Sequence, residues 1–134
     1  MANFVVDAGL AIVTDRLKNG GTPPEPVYIG WGTGAGMTTG TDTSLFSEKD
    51  VDLSSSSGTR TTGTSSRVTT TSTNDTYQVV GTRTATGSGT VTNAGLFDNS
   101  AIGSGNLFQK GDFTGIGMSS GDSIQFTFKA QLTN

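Results

Sequence analysis

Near its end the chain reads DSIQFTFKAQL. Ile124, Phe126, Phe128, Ala130 and Leu132 alternate with Ser123, Gln125, Thr127, Lys129 and Gln131. A period of two with one apolar and one polar face is the pattern of a strand in an antiparallel sheet with one side buried. Similar runs at 27–31, 66–73, 76–86, 89–97 and 106–113 also predict strands. Asn74-Asp75, Gly87-Ser88, Asp98-Asn99 and Ser120-Gly121-Asp122 supply turns between the later ones. A helical period occurs once, over 4–18, where Val6, Leu10, Val13 and Leu17 share a face and Asn19-Gly20-Gly21 gives a stop. That helix is expected to cover an open end or face of a sheet; the alternative is that part of its stripe docks on another chain.

Between helix and strands lies the extended connector Thr22-Pro23-Pro24-Glu25-Pro26. Residues 32–64 form a long region rich in Gly, Ser and Thr, with small apolar islands at Leu45-Phe46 and Val51/Leu53. So long a connection is unusual in a compact domain, so it is either a functional arm or holds short strands. Its Ser54–Gly58 run has the most flexible composition in the chain. The elements together predict one domain over 1–134. Its fold class is all-β: an antiparallel β-sandwich of jelly-roll or Greek-key type with one short N-terminal helix.

Composition narrows the chemistry. With 134 residues, Gly at 20 positions and hydrophobics at 31%, apolar side chains are scarce, and strands of Thr and Val fit better than helices. Absence of Cys and His removes disulfides, thiolate chemistry, His-containing metal sites and His-based triads. The net charge of −3 comes without a basic stripe, so neither nucleic acid nor cofactor is expected as a partner. No run is long and apolar enough for a membrane span. The N-terminus has no basic leader region, and Asp7 interrupts its apolar run, so the protein is expected to stay in the cytoplasm of its producer.

Four motifs are candidates for function. The run VYIGWGTGAGM places glycines at 30, 32, 34 and 36, in strict alternation. A dinucleotide loop needs G-x-G-x-x-G opening a helix, which this is not. The better reading is a strand with one face stripped of side chains, allowing a bend or the close approach of another backbone. Trp31, inside that run, is either core or an interface anchor. The cluster Glu48-Lys49-Asp50-Val51-Asp52 lacks the spacing of a calcium loop and reads as solvated, so no metal is expected. Thr82, Thr84 and Thr86, with Thr90 and Thr92, form ladders on strand faces, punctuated by Arg60, Arg67 and Arg83. Such arginines blunt strand edges or pair with carboxylates of a partner.

The pieces AGLAIVTDRL, PVYIGWGTG, TDTSLFSE, SRVTTTSTNDTYQVVGT, TNAGLFD, LFQKGDF and GDSIQFTFKAQL, in that order, span nearly the whole chain. In their order they resemble the capsid cement, or decoration, proteins of tailed bacteriophages. The resemblance implies a jelly-roll-like sandwich on the outer surface of the virion capsid, bridging subunits of the major capsid protein and carrying no catalytic residues. Similar IGTG, AGLFD and GDS patterns occur in phage tail and fibre proteins, so a tail-fibre or carbohydrate-binding recognition module is the alternative. It supplies no motif for the contacts themselves. On physical grounds the candidate contact residues are Asn3, Phe4 and Val5, the 54–64 arm, and Trp31, Arg60 and Arg67. Self-association is expected as a homodimer, alternatively a trimer.

Overall fold

The alternation of DSIQFTFKAQL is realised in the computed structural model, which describes residues 3–133. In chain order the elements are β1 (Asn3–Val5), α1 (Asp7–Asn19), β2 (Tyr28–Gly32), β3 (Glu48–Lys49), β4 (Thr61–Thr62), β5 (Thr64–Val68), β6 (Thr76–Thr84), β7 (Gly89–Phe97), β8 (Leu107–Met118) and β9 (Ser123–Gln131). Two antiparallel sheets pack face to face, giving an all-β sandwich with one helix. The larger sheet has the order β1-β8-β7-β2-β3, with β4 also on β2; the smaller is β5-β6-β9. The chain leaves the small sheet between β6 and β7 and returns between β8 and β9. The paired ribbon β6·β9 therefore continues across the sandwich as β7·β8.

The core lies between the sheets. Ile29, Ala94, Leu96 and Phe108 of the large sheet meet Val79 and Phe128 of the small one, and Ile12 of α1 closes that end. Trp31, Val91 and Met118 form a second cluster with Leu53 and Ala85. Both clusters are built by period-two alternation on the inner faces.

Several boundaries differ from the sequence expectation: β8 runs on to Met118 where 113 was expected, β6 ends at Thr84 where 86 was expected, and the helix and β5 differ for visible local reasons. The helix begins at Asp7, not at residue 4, because 3–5 pair with β8 in the register Asn3↔Gly111, Phe4↔Lys110, Val5↔Gln109. Its stop is as expected, with Gly20 left-handed at φ 63° and its N–H on the Arg16 carbonyl. The buried face is also shifted: Gly9 and Ile12 face the sheet and Val6 and Val13 pack inward as expected, while Leu10 and Leu17 face solvent. Glycine decides this, since a Cβ at position 9 would lie 2.1 Å from the Phe108 carbonyl oxygen. The helix axis can come this close to β8 only along that stripe. Lastly, β5 stops at Val68 because the Asp75 carboxylate takes the N–H groups of Thr70, Thr71 and Ser72 and curls 69–75 into a turn.

Candidate functional site

The alternate glycines build a trough on the outer face of the large sheet. Trp31 and Ile29 point into the sandwich, so Gly30 and Gly32 point out. Leu45 to Glu48 lie in the space this leaves. Cβ atoms placed at 32 and 34 would fall 2.3 Å from the Phe46 carbonyl oxygen and 2.8 Å from its carbon, and one at 36 would enter the Phe46 ring. The segment is held as a strand would be. Gly34 N–H donates to the Phe46 carbonyl at 2.9 Å and Thr33 N–H to that of Ser47 at 3.1 Å. From the other side the buried Asn93 amide accepts from Phe46 N–H at 3.0 Å and donates to its carbonyl at 3.1 Å. The Thr92 hydroxyl reaches the Gly34 carbonyl. The 32–64 region thus contains short strands, β3 and β4, and its first half is a third layer on the sheet.

Three buried cations fasten the 42–50 segment, each with a carboxylate and an aromatic ring. Arg60 makes a two-pronged pair with Glu48, at 2.7 and 2.9 Å, and donates to the carbonyls of Asn99 and Ser104. Its guanidinium lies 3.4 Å from the Phe97 ring centroid. Lys110 bonds Asp42 and the Ser44 carbonyl, both at 2.9 Å, with its ammonium 3.3 Å from the Phe46 centroid. Arg83 donates to Thr59, Thr61 and Lys49, stands 3.4 Å from Asp50, and lies 5.1 Å from the Trp31 ring. The Trp31 indole N–H in turn holds the Asp50 carbonyl.

The titrating groups show the same fixation. Burial pushes the Asp42 carboxyl up, but hydrogen bonds from Lys110 and Thr39 outweigh it and hold it below its usual value. The N–H groups of Ser55 and Ser54 hold Asp52 well below its usual range, and those of Ser72 and Thr70 do the same for Asp75. Burial, then Glu25 beside it, drives the Tyr77 phenol upward. Burial lowers Arg83, against the opposing pull of Asp50 and Glu48. Among the described residues, no group of three acidic side chains could hold a metal ion.

Of the residues expected to make contacts, Asn3, Phe4 and Val5 form β1, with Asn3 and Phe4 exposed and Val5 half-buried against the core. Arg67 is exposed on β5. Trp31 is 0% exposed and Arg60 3%, so neither can anchor a partner. Trp31 belongs to the inner cluster, and the carboxylate partner of Arg60 is in its own chain. Arg83, on the central strand of its sheet, likewise blunts no edge. The acidic cluster is not a solvated loop either, since Glu48 and Asp50 are counter-ions. The 54–64 arm is pinned at Ser55 by Asp50 N–H, at Gly58 by Ile102 N–H and at Arg60 by the Ser100 carbonyl, and then enters β4 and β5. Periodicity alone missed Leu10 and Leu17 as surface residues; Gly9, which lets the helix approach β8, was the available signal. No family model, curated protein or solved structure matches this chain.

Proposed function

We propose that the chain is a virion structural protein of a tailed bacteriophage, a decoration protein that binds the outer surface of the assembled capsid and stabilises it by bridging major capsid protein subunits. The ordered sequence patterns suggest the class. The observation that carries it onto a surface is the placement of exposed apolar side chains. Among the described residues six large hydrophobics are exposed, and Phe4, Leu10 and Leu17 are three of them, all on β1 and α1. Leu17 is 82% exposed and Phe4 43%. Meanwhile the buried cations and their carboxylates are matched within the chain, so the charges open to a partner are surface ones such as Asp15 and Lys18 beside Leu17 and Arg67 on β5.

The mechanism is linkage. A protein that binds only the assembled lattice stabilises it by RT ln(1 + [L]/Kd), about 2.7 kcal/mol per site when free protein is at a hundred times Kd. Discrimination comes from bridging, since two weak contacts reinforce each other only when neighbouring subunits are held at fixed spacing. The test is co-sedimentation of the purified protein with expanded capsids and, separately, with unassembled major capsid protein. Binding to capsids alone, weakened about tenfold or more by Phe4→Asp or Leu17→Asp, is expected from loss of a buried apolar anchor. Equal affinity for free subunits would overturn the proposal, and reproducible hits on a glycan array without capsid binding would replace it with a recognition module. Substitution is the better probe than deleting residues 1–5, because Asn3–Val5 belong to the large sheet.

A further inference from the structure

The strand edges of this sandwich are not treated alike. β1 is three residues long, and β3 two. The part of β8 beyond β1 is irregular, with a register shift between Val91 and Asn93 of its partner and glycines at 115 and 117. β5 is short and carries Arg67. These are the usual ways of spoiling an edge for pairing. β9 lacks all of them but a single charge. It pairs with β6 over nine residues without a register break, ends its sheet, and contains neither Pro nor a bulge. Lys129 is its one charge.

The unused backbone of β9 can be assigned. The Lys129 carbonyl accepts from the Gln109 side chain of the other sheet at 2.9 Å, so it points away from β6. In a strand the odd positions then share that direction, and Ser123, Gln125 and Thr127 present N–H and C=O groups at the edge. Gln109 closes the Lys129 end, and β1, with Asn3 opposite Gly111, stops short of the rest. Behind the open half lies a groove of about 150 Å³ with Phe113, Phe126 and Phe128 in its wall. Ile116, 41% exposed, also belongs to this open part of β8.

We propose that the Ser123–Thr127 edge of β9 is a self-association site at which a second copy of this chain adds its own β9 antiparallel, about a two-fold axis through Gln125. The sequence is complementary to itself in that register. Ser123 meets Thr127, Gln125 meets Gln125, and Ile124 meets Phe126, so polar pairs with polar, apolar with apolar, and no like charges oppose. The three edge residues exchange about six main-chain hydrogen bonds across the axis. The two small sheets become one six-stranded sheet, and the aromatic groove is covered from the side. Centring instead on Thr127 would need the Lys129 carbonyl that Gln109 already holds. The pairing is isologous and closes after two copies. It rests on edge geometry and is independent of the capsid proposal.

Sedimentation equilibrium of the full chain, up to about 100 μM where a dimer of micromolar Kd is nearly saturated, is expected to give a dimer. Gln125→Pro removes an outward N–H without touching the β6 ladder, and Gln125→Lys sets two cations face to face. Each is expected to weaken association about a hundredfold, with circular dichroism unchanged. Because the chain has no Cys, Gln125→Cys offers a single bridging route. Cα atoms about 5.5 Å apart across the axis lie within disulfide range, so a covalent dimer should form on oxidation while Thr90→Cys stays monomeric. A monomer at all concentrations, a dimer that both Gln125 variants leave intact, or cross-linking no faster than the Thr90→Cys control would overturn the assignment.

Discussion

Replacing Glu48 by Leu should unfold this protein far more readily than its place in an acidic, loop-like sequence suggests. The exposures of the Arg60 and Glu48 side chains are 2% and 12%, and the guanidinium makes four hydrogen bonds, two of them to Glu48. Removing the carboxylate leaves a cation buried against Phe97 with two neutral carbonyls as its remaining partners. For a surface pair such a loss costs about 0–1 kcal/mol. For a buried pair broken on one side it costs about 3–5 kcal/mol. The geometry places this pair in the second class. With about 3–5 °C of melting shift per kcal/mol at this chain length, Glu48→Leu should lower Tm by roughly 10–20 °C. Arg60→Met should cost less than breaking the pair from the Glu48 side, because the carboxylate it strands is the more exposed partner. The double variant should recover much of the loss, since a buried pair replaced by apolar groups is close to neutral. Urea unfolding of wild type, both single variants and the double gives the coupling directly. A coupling energy below about 0.5 kcal/mol would show that the clamp is a surface contact and refute the reasoning.

Two further outcomes follow from the trough and from the carboxylates. Gly32→Ala would put a Cβ 2.3 Å from the Phe46 carbonyl oxygen and should cost about 1–3 kcal/mol, whereas Gly117→Ala, with open space around it, should be neutral or slightly stabilising; equal urea midpoints for the two would sink the close-approach argument. Asp42, Asp52 and Asp75 have folded-state pKa values below their unfolded ones, so the stability they add is present above about pH 4 and is lost as pH falls through the lower folded values. Tm should therefore be level from pH 7 to about 5 and fall on further acidification, with a shallower fall in Asp75→Asn; a Tm at pH 3 equal to that at pH 6 would contradict it.

The strands were legible because their alternation is a local signal. β7 spans the expected 89–97, and β9 misses its expected end by one residue. Ile124, Phe126, Phe128 and Ala130 are less exposed than the residues between them, as the period requires. The glycine alternation gave a correct physical reading, close approach of another backbone, but not which backbone, since Phe46 is contributed from more than ten residues away. The charge pairs were illegible for the same reason. Arg60, Arg83 and Lys110 sit among Thr, Gly and Gln in strand-like sequence, where a polar side chain normally faces water. Their burial depends on carboxylates at 42, 48 and 50 arriving by tertiary folding. The helix face was half right: Val6 and Val13 pack inward, but Leu10 and Leu17 do not, because packing distance was set by Gly9, which four apolar residues outweighed in the pattern.

The layer formed by 33–48 also limits where a partner can bind. It covers the outer face of the large sheet along β2 and β7, with Asp42 held by Lys110 of β8 and Glu48 by Arg60, so on that side a partner meets the layer and not the strands beneath it. The outer face of the small sheet remains, with Thr82, Thr84, Gln125 and Thr127 exposed, together with α1 and β1 at one end. Threonine and glutamine faces are well solvated and provide little apolar area, so on their own they favour solubility over adhesion. Exposed apolar side chains lie on β1, on α1, on the 33–48 layer, beside the open edge of β9 and just past its end, as Phe4, Leu10, Leu17, Met37, Ile116 and Leu132. If β9 is occupied by a second copy, the proposed contacts on β1 and α1 are presented twice, one set from each copy. A dimer would then present two such sets at a fixed separation, the arrangement a bridging protein needs to distinguish an assembled lattice from its free subunits.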